Sequence, residues 1–218
     1  MNVIFFDDNK IRRNLLPLTY TRPIAMLRIG ITTIDEKWRS MLGNDHEYSY
    51  LTVPYLKKRF PITVKPVNLM IAGHVVPNAA TIEQVKALEP GEALMLGDEL
   101  IAFHGIAKDF DNKHFKRIIY ASEPPIILQF LYDIFRNNGT ALSQDFDRLT
   151  KGRKSQPLSA TNTIIGDKNR IFVEEGAYVE GASLNTNEGP IYIGKDVEIM
   201  EGACIRGGFA ACHDAKVR

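Results

Sequence analysis

Near the C-terminus the aliphatic positions keep a six-residue spacing: Val173 and Val179, then Ile193, Ile199 and Ile205. Small or turn-forming residues stand between them, at Gly176-Ala177, Gly181-Ala182, Gly194 and Gly202-Ala203. A period of six fits neither an α-helix nor an alternating strand. It fits a β-helix, in which each hexapeptide forms one short strand and one corner. Val179 and Ile193 are fourteen residues apart, two more than two hexapeptides, so Asn185–Pro190 is expected to bulge from a corner. Residues 163–218 leave room for about three coils of about eighteen residues each. A solenoid normally closes with a capping element, and none is recognisable after Ile205, so the ladder reads as truncated.

The pattern over residues 1–150 is different, with strand and helix signals in alternation. Val3 to Phe6 is an apolar run closed by Asp7-Asp8-Asn9, as in a buried strand entering a loop. Thr33-Ile34-Asp35-Glu36 has the form of a capping box, with Ile34, Trp38, Met41 and Leu42 at helical spacing and Gly43 as a stop. Val67 to Ala72 is a second apolar run, and Thr81-Ile82-Glu83-Gln84 a second capping box. Gly97-Asp98 between two apolar runs predicts a hairpin, and Arg117 to Ala121 a further strand. A helix opening at Pro124-Pro125 is expected to stop at Asn137-Asn138-Gly139, followed by a shorter amphipathic segment with Leu142, Phe146 and Leu149 inward. This order implies an α/β layer domain over 1–150, a polar linker over 151–161 and a repeat domain over 162–218.

Composition narrows the function. A hydrophobic content of 44% and a charged content of 24% are those of a globular protein. A net charge of +1 gives no general surface for nucleic acid or membrane. The N-terminus turns acidic too early for a signal peptide, and Cys204 and Cys212 fit neither a zinc pattern nor a disulfide framework. These features favour a cytoplasmic location.

The charge that stands out is local. Lys10, Arg12, Arg13 and Arg22 follow the first strand, with Arg28 a little further on. In an α/β sheet ligands bind at the carboxyl ends of strands, and clustered guanidinium groups there suit a di- or triphosphate. Asp7 and Asp8 would help place a magnesium ion beside such phosphates. The alternative is that the arginines are solvated and the aspartates form an Asx-type turn.

Leu16-Pro17-Leu18-Thr19-Tyr20-Thr21-Arg22-Pro23, followed by Ile29-Gly30 and a helix, resembles the N-terminal signature of sugar-1-phosphate nucleotidyltransferases. With the hexapeptides added, the whole chain resembles a divergent bacterial branch of the bifunctional UDP-N-acetylglucosamine diphosphorylase/glucosamine-1-phosphate N-acetyltransferase family, with a shortened first domain. The resemblance implies a nucleotidyltransferase-like (Rossmann-like) α/β domain followed by the first coils of a left-handed parallel β-helix. It implies attack of N-acetylglucosamine-1-phosphate on the α-phosphorus of UTP, or another nucleoside triphosphate, with Mg2+ and release of pyrophosphate. Arg13 and Arg22 would be catalytic, Arg12, Thr19, Arg28 and Asp8 substrate-binding, and Asp7 a metal ligand. The complete chain would also take acetyl-CoA as co-substrate and assemble as a homotrimer. The sequence departs from the family pattern at four places. Asp7–Ile11 replaces the glycine-rich loop, Asn14 stands at the arginine position, Ile24 replaces a lysine, and Gly73-His74 follows the strand that would end in a magnesium-binding aspartate. A non-catalytic sugar-nucleotide-binding or assembly module is therefore the competing expectation.

Overall fold

The computed structural model describes all 218 residues. They form two compact units, one of residues 1–28 with 33–135, the other of residues 29–32 with 136–218.

The first unit is built on a six-stranded mixed sheet. Its strands are β1 (Asn2–Phe6), β2 (Glu47–Leu51), β3 (Asn68–Ala72), β4 (Glu92–Leu96), β5 (Glu99–Gly105) and β6 (Arg117–Tyr120). Their spatial order is β2-β1-β3-β5-β4-β6. All pairings are parallel except those of β5, which runs antiparallel to both β3 and β4. Every residue of β1 and β3 is buried, as expected of central strands covered on both faces. The predicted Gly97-Asp98 turn joins β4 to β5, with Leu96 opposite Glu99.

Helix α1 (Asn9–Asn14) follows β1, and α2 (Ile34–Leu42) starts at the predicted capping box: Thr33 is the N-cap and Glu36 returns a bond to its N–H at 2.7 Å. Trp38 of α2 is fully buried and donates its indole N–H to the Val75 carbonyl at 2.8 Å. Helix α3 (Ala79–Lys86) begins three residues before the predicted start. Asn78 is its N-cap, accepting from the Thr81 N–H at 2.8 Å, so Thr81 lies in the first turn. Short helix α4 (Ala107–Asp111) follows β5.

The expected helix break at Asn137-Asn138-Gly139 is corrected by the structure. Ile126–Ile127 is a short strand, and a single helix, α5 (Leu131–Thr150), runs through all three residues. A helical glycine costs only about 1 kcal/mol relative to alanine. In the second unit Asn138 Oδ1 accepts the Gly30 N–H at 2.8 Å, and Leu142 and Phe146 are buried against Ile31 and Phe172. These tertiary contacts outweigh the weak local stop signal.

In the second unit the chain visits three parallel three-stranded sheets in rotation. Residues 163–165, 183–185 and 204–206 form one, 171–173, 191–193 and 209–211 the next, and 178–179, 198–199 and 216–217 the third. Val173 lies opposite Ile193, and Val179 opposite Ile199. With Ile205 these residues belong to one buried core. Five residues, 186–190, turn the corner after Asn185, whereas Gly207-Gly208 alone turn the matching corner one coil later. The extra length therefore sits where the fourteen-residue interval indicates.

Part of the segment read as linker over 151–161, together with Asn162, is bonded to the first coil. Gln156 N–H reaches the Val173 carbonyl at 2.8 Å, and the Asn162 side chain bonds the Val179 carbonyl and the Ala182 N–H. Side chains here satisfy backbone groups that a preceding coil would otherwise cover.

Arg153 adds an ion pair to Glu174 and lies over the Phe172 ring, while the Tyr192 hydroxyl donates to the same carboxylate. Burial raises the Glu174 carboxyl, but the Arg153 and Tyr192 hydrogen bonds outweigh it and hold the pKa below the usual value. The stability this pair contributes is therefore full above the unfolded carboxylate pKa of about 4.3 and lost as pH falls through the lower folded value. Urea midpoints are expected to fall more steeply below about pH 4.3 for the wild type than for Glu174→Gln. Equal slopes would remove the assignment.

No helix is long and apolar enough to cross a membrane.

Candidate active site

The strand order reverses around β1, which has β2 on one side and β3 on the other. In open α/β sheets the ligand crevice opens at such a switch point, beyond the carboxyl ends of the strands. The turn Asp7-Asp8 lies there. Asp8 is the N-cap of α1, and its Oδ1 accepts from the N–H groups of Lys10 and Ile11 at 2.8 and 2.9 Å. The Asx-type alternative thus describes Asp8.

Asp7 is held inside. Its Oδ1 accepts the Ile24 N–H at 2.8 Å, and its Oδ2 accepts from Thr52 Oγ1 at 2.5 Å and from Arg12 Nη1 at 2.8 Å. Burial pushes the Asp7 carboxyl above its ordinary range, while Thr52, the Ile24 N–H and Arg12 pull it back. Arg12 is equally enclosed. Its guanidinium also reaches the Arg22 carbonyl at 3.1 Å, the Thr19 carbonyl and the Tyr55 hydroxyl. Thr19 Oγ1 returns a bond to the Arg12 carbonyl at 2.8 Å. The Leu-Pro-Leu-Thr loop is therefore wrapped around Arg12. Ile11, Leu15, Ile24 and Leu27 pack together beside it.

The predicted set divides accordingly. Asp7, Arg12 and Thr19 form a buried scaffold, with side chains of Arg12 and Asp7 only 6% and 3% exposed. Arg13, Arg22 and Arg28 are exposed. Only Asp7 and Asp8 of the predicted residues line the cleft of about 460 Å³ at the strand ends.

The rest of the cleft wall comes from residues that sequence reasoning did not select. Asp98 and Glu99 enter from the β4–β5 turn, Asp111 and Lys113 from the end of α4, and Phe6, Phe110 and Phe115 supply aromatic surface. Behind Glu99 stands fully buried His74, with Nε2 2.8 Å from Glu99 Oε1. The hairpin signal at Gly97-Asp98 marks this region, but the pairing of β3 with β5 that brings His74 to Glu99 is not visible in sequence.

The fit for magnesium is poor. Asp7 has both oxygens engaged, and no group of three or more His, Cys, Asp or Glu side chains is placed to hold a metal ion.

In a mixed sheet of this kind a cleft at the switch point is the place where a ligand binds. Residues 3–154 match the sugar nucleotidyl transferase family, and the chain belongs to that family. A domain of this kind implies a nucleotide and a sugar phosphate as substrates. No curated protein matches the chain.

Proposed function

We propose that this chain transfers a uridylyl group from UTP to N-acetylglucosamine-1-phosphate. A phosphate oxygen of the sugar phosphate forms a bond to the α-phosphorus. The bond from that phosphorus to the bridging oxygen breaks, and pyrophosphate leaves with the electron pair. The observation that carries this reading is the cleft at the switch point of a domain that matches the family along its length. Such chemistry depends on positioning and on neutralising charge. Arg13 and Arg22 are the exposed cations we assign to the phosphates, with Arg28 as a further contact. Asp8 orders the loop through its cap, and Asp7, Arg12 and Thr19 hold its shape rather than touch substrate. Magnesium is expected to arrive with the triphosphate rather than to wait in a protein cage.

We further read the three C-terminal sheets as faces of a left-handed parallel β-helix of hexapeptide type. A repeat domain of that type would carry acetyl transfer from acetyl-CoA and drive trimer formation in the cytoplasm. The regular in-register stacking of aliphatic residues supports this reading.

Pyrophosphate release from UTP and N-acetylglucosamine-1-phosphate, with magnesium, tests the reaction. Arg22→Ala is expected to weaken UTP binding about tenfold, the loss of one charge-assisted hydrogen bond. Unchanged affinity would withdraw Arg22 from the site. The second reading, a binding module without turnover, is favoured by the internal engagement of Asp7 and Arg12. It gains if UDP-sugars raise the melting temperature while no pyrophosphate appears.

A further inference from the structure

His74 follows β3 and is fully buried, yet only one of its ring nitrogens has a partner. Nε2 lies 2.8 Å from Glu99 Oε1, and Nδ1 is buried with none. The sheet builds this contact. Ile71 of β3 faces Ala102 of β5, so three residues further along the first strand and three back along the second bring His74 to Glu99. An imidazole held to a carboxylate through one nitrogen fixes that carboxylate's orientation. Glu99 has no other protein partner, and its side chain is 29% exposed on the cleft wall.

A carboxylate accepts hydrogen bonds and donates none. His74 engages one oxygen of Glu99 and leaves the other for the cleft. Asp8, Asp98 and Asp111 also line the cleft, whose one lysine is Lys113. A surface of acceptors repels a bare phosphate. It suits hydroxyl groups, which donate, and the Phe110 and Phe115 rings beside it suit the apolar face of a saturated ring.

We propose that Glu99, positioned by His74, is the specificity-determining acceptor for the uncharged, hydroxyl-bearing ring of a substrate. The phosphates are then directed away from this wall. The inference rests on the sugar-nucleotide reading above and adds which part of the ligand the cleft takes. Two rings offer this chemistry: the sugar of the sugar phosphate and the ribose of the nucleotide.

Calorimetric titration of the full chain with N-acetylglucosamine-1-phosphate, UTP and pyrophosphate tests the proposal. In Glu99→Gln the side-chain oxygen stays with His74 and an NH2 group turns to the cleft, replacing an acceptor by a donor. The affinity for one ring-bearing ligand is expected to fall roughly ten- to hundredfold, the range for a hydrogen bond to a charged group. Pyrophosphate binding and the melting temperature should not change. Which ligand loses affinity identifies the ring. His74→Phe, which keeps the ring but removes the donor, should lose affinity for the same ligand by a smaller factor. If that variant does not fold, Glu99→Gln decides alone. Wild-type affinity for both ligands in Glu99→Gln overturns the proposal and leaves the proposed reaction standing. A wild type that binds neither ligand overturns both.

Discussion

Arg12→Ala is expected to destabilise the first unit by about 3–5 kcal/mol, the range for removing one partner of a buried ion pair. The size follows from what the guanidinium satisfies. It neutralises Asp7 at 2.8 Å, and it covers the carbonyls of Thr19 and Arg22 and the hydroxyl of Tyr55. Alanine leaves Asp7 buried without its counter-ion and strips two loop carbonyls of a donor. Lysine is not a conservative rescue. Its single ammonium cannot reproduce a planar fork that reaches four acceptors, so Arg12→Lys should recover less than half of the loss. Removing both charges, in Arg12→Met with Asp7→Leu, should cost less than Arg12→Met alone, because no unpaired charge remains. The check is a double-mutant cycle by urea unfolding, with hydrogen exchange at the amides of residues 19–24 as the local probe. Strictly additive losses would show that the two residues do not act as a pair. The result also bears on function. If the loop depends on Arg12, nucleotide affinity and stability should fall together in these variants, whereas Arg22→Ala should alter affinity alone.

That division among the arginines marks where sequence reasoning stops. Spacing and composition identify β1, the Thr33 capping box, the Gly97-Asp98 turn and the six-residue ladder because each is a local signal repeated or bounded by its own residues. The fate of a charged side chain is not local. Arg12 and Arg13 are neighbours on a one-and-a-half-turn helix, and only the packing of the following loop decides which is enclosed. A run of five basic residues therefore reads as one phosphate site, although one member is a buried strut. The same limit hid Glu99. Its partner lies 25 residues away and is brought there by an antiparallel pairing between strands that are not consecutive. At Asn137-Asn138-Gly139 the error ran the other way. A weak local stop was overruled because Asn138 accepts the Gly30 backbone N–H and the next turns carry buried Leu142 and Phe146.

Asp145→Ala should produce the second large loss, about 3 kcal/mol, in the second unit. Asp145 lies on α5 with a side chain only 3% exposed. Its Oδ2 accepts the N–H groups of Ile31 and Thr32 at 2.8 and 3.1 Å, and Oδ1 pairs with Arg148 at 2.8 Å. It therefore ties the turn at residues 29–32 to the helix, more than 100 residues away in sequence. The turn packs tightly against the helix and leaves no room for a side chain at Gly30. Gly30 has φ of +71°, and a Cβ there would sit 2.8 Å from the Ala141 carbonyl and from Asp145 Oδ2. Alanine at 145 leaves two backbone donors without their acceptor and removes the ion partner seen at Arg148. Asparagine keeps one carbonyl oxygen for the donors while losing the charge, so Asp145→Asn should cost about half as much. The check is urea unfolding with amide exchange at residues 31 and 32. Protection at those two amides should fall before that of Ile193 and Ile199, which lie in the aliphatic core. If both variants unfold like wild type, the turn is held by the packing of Ile31 on Leu142 and Phe146 rather than by the carboxylate.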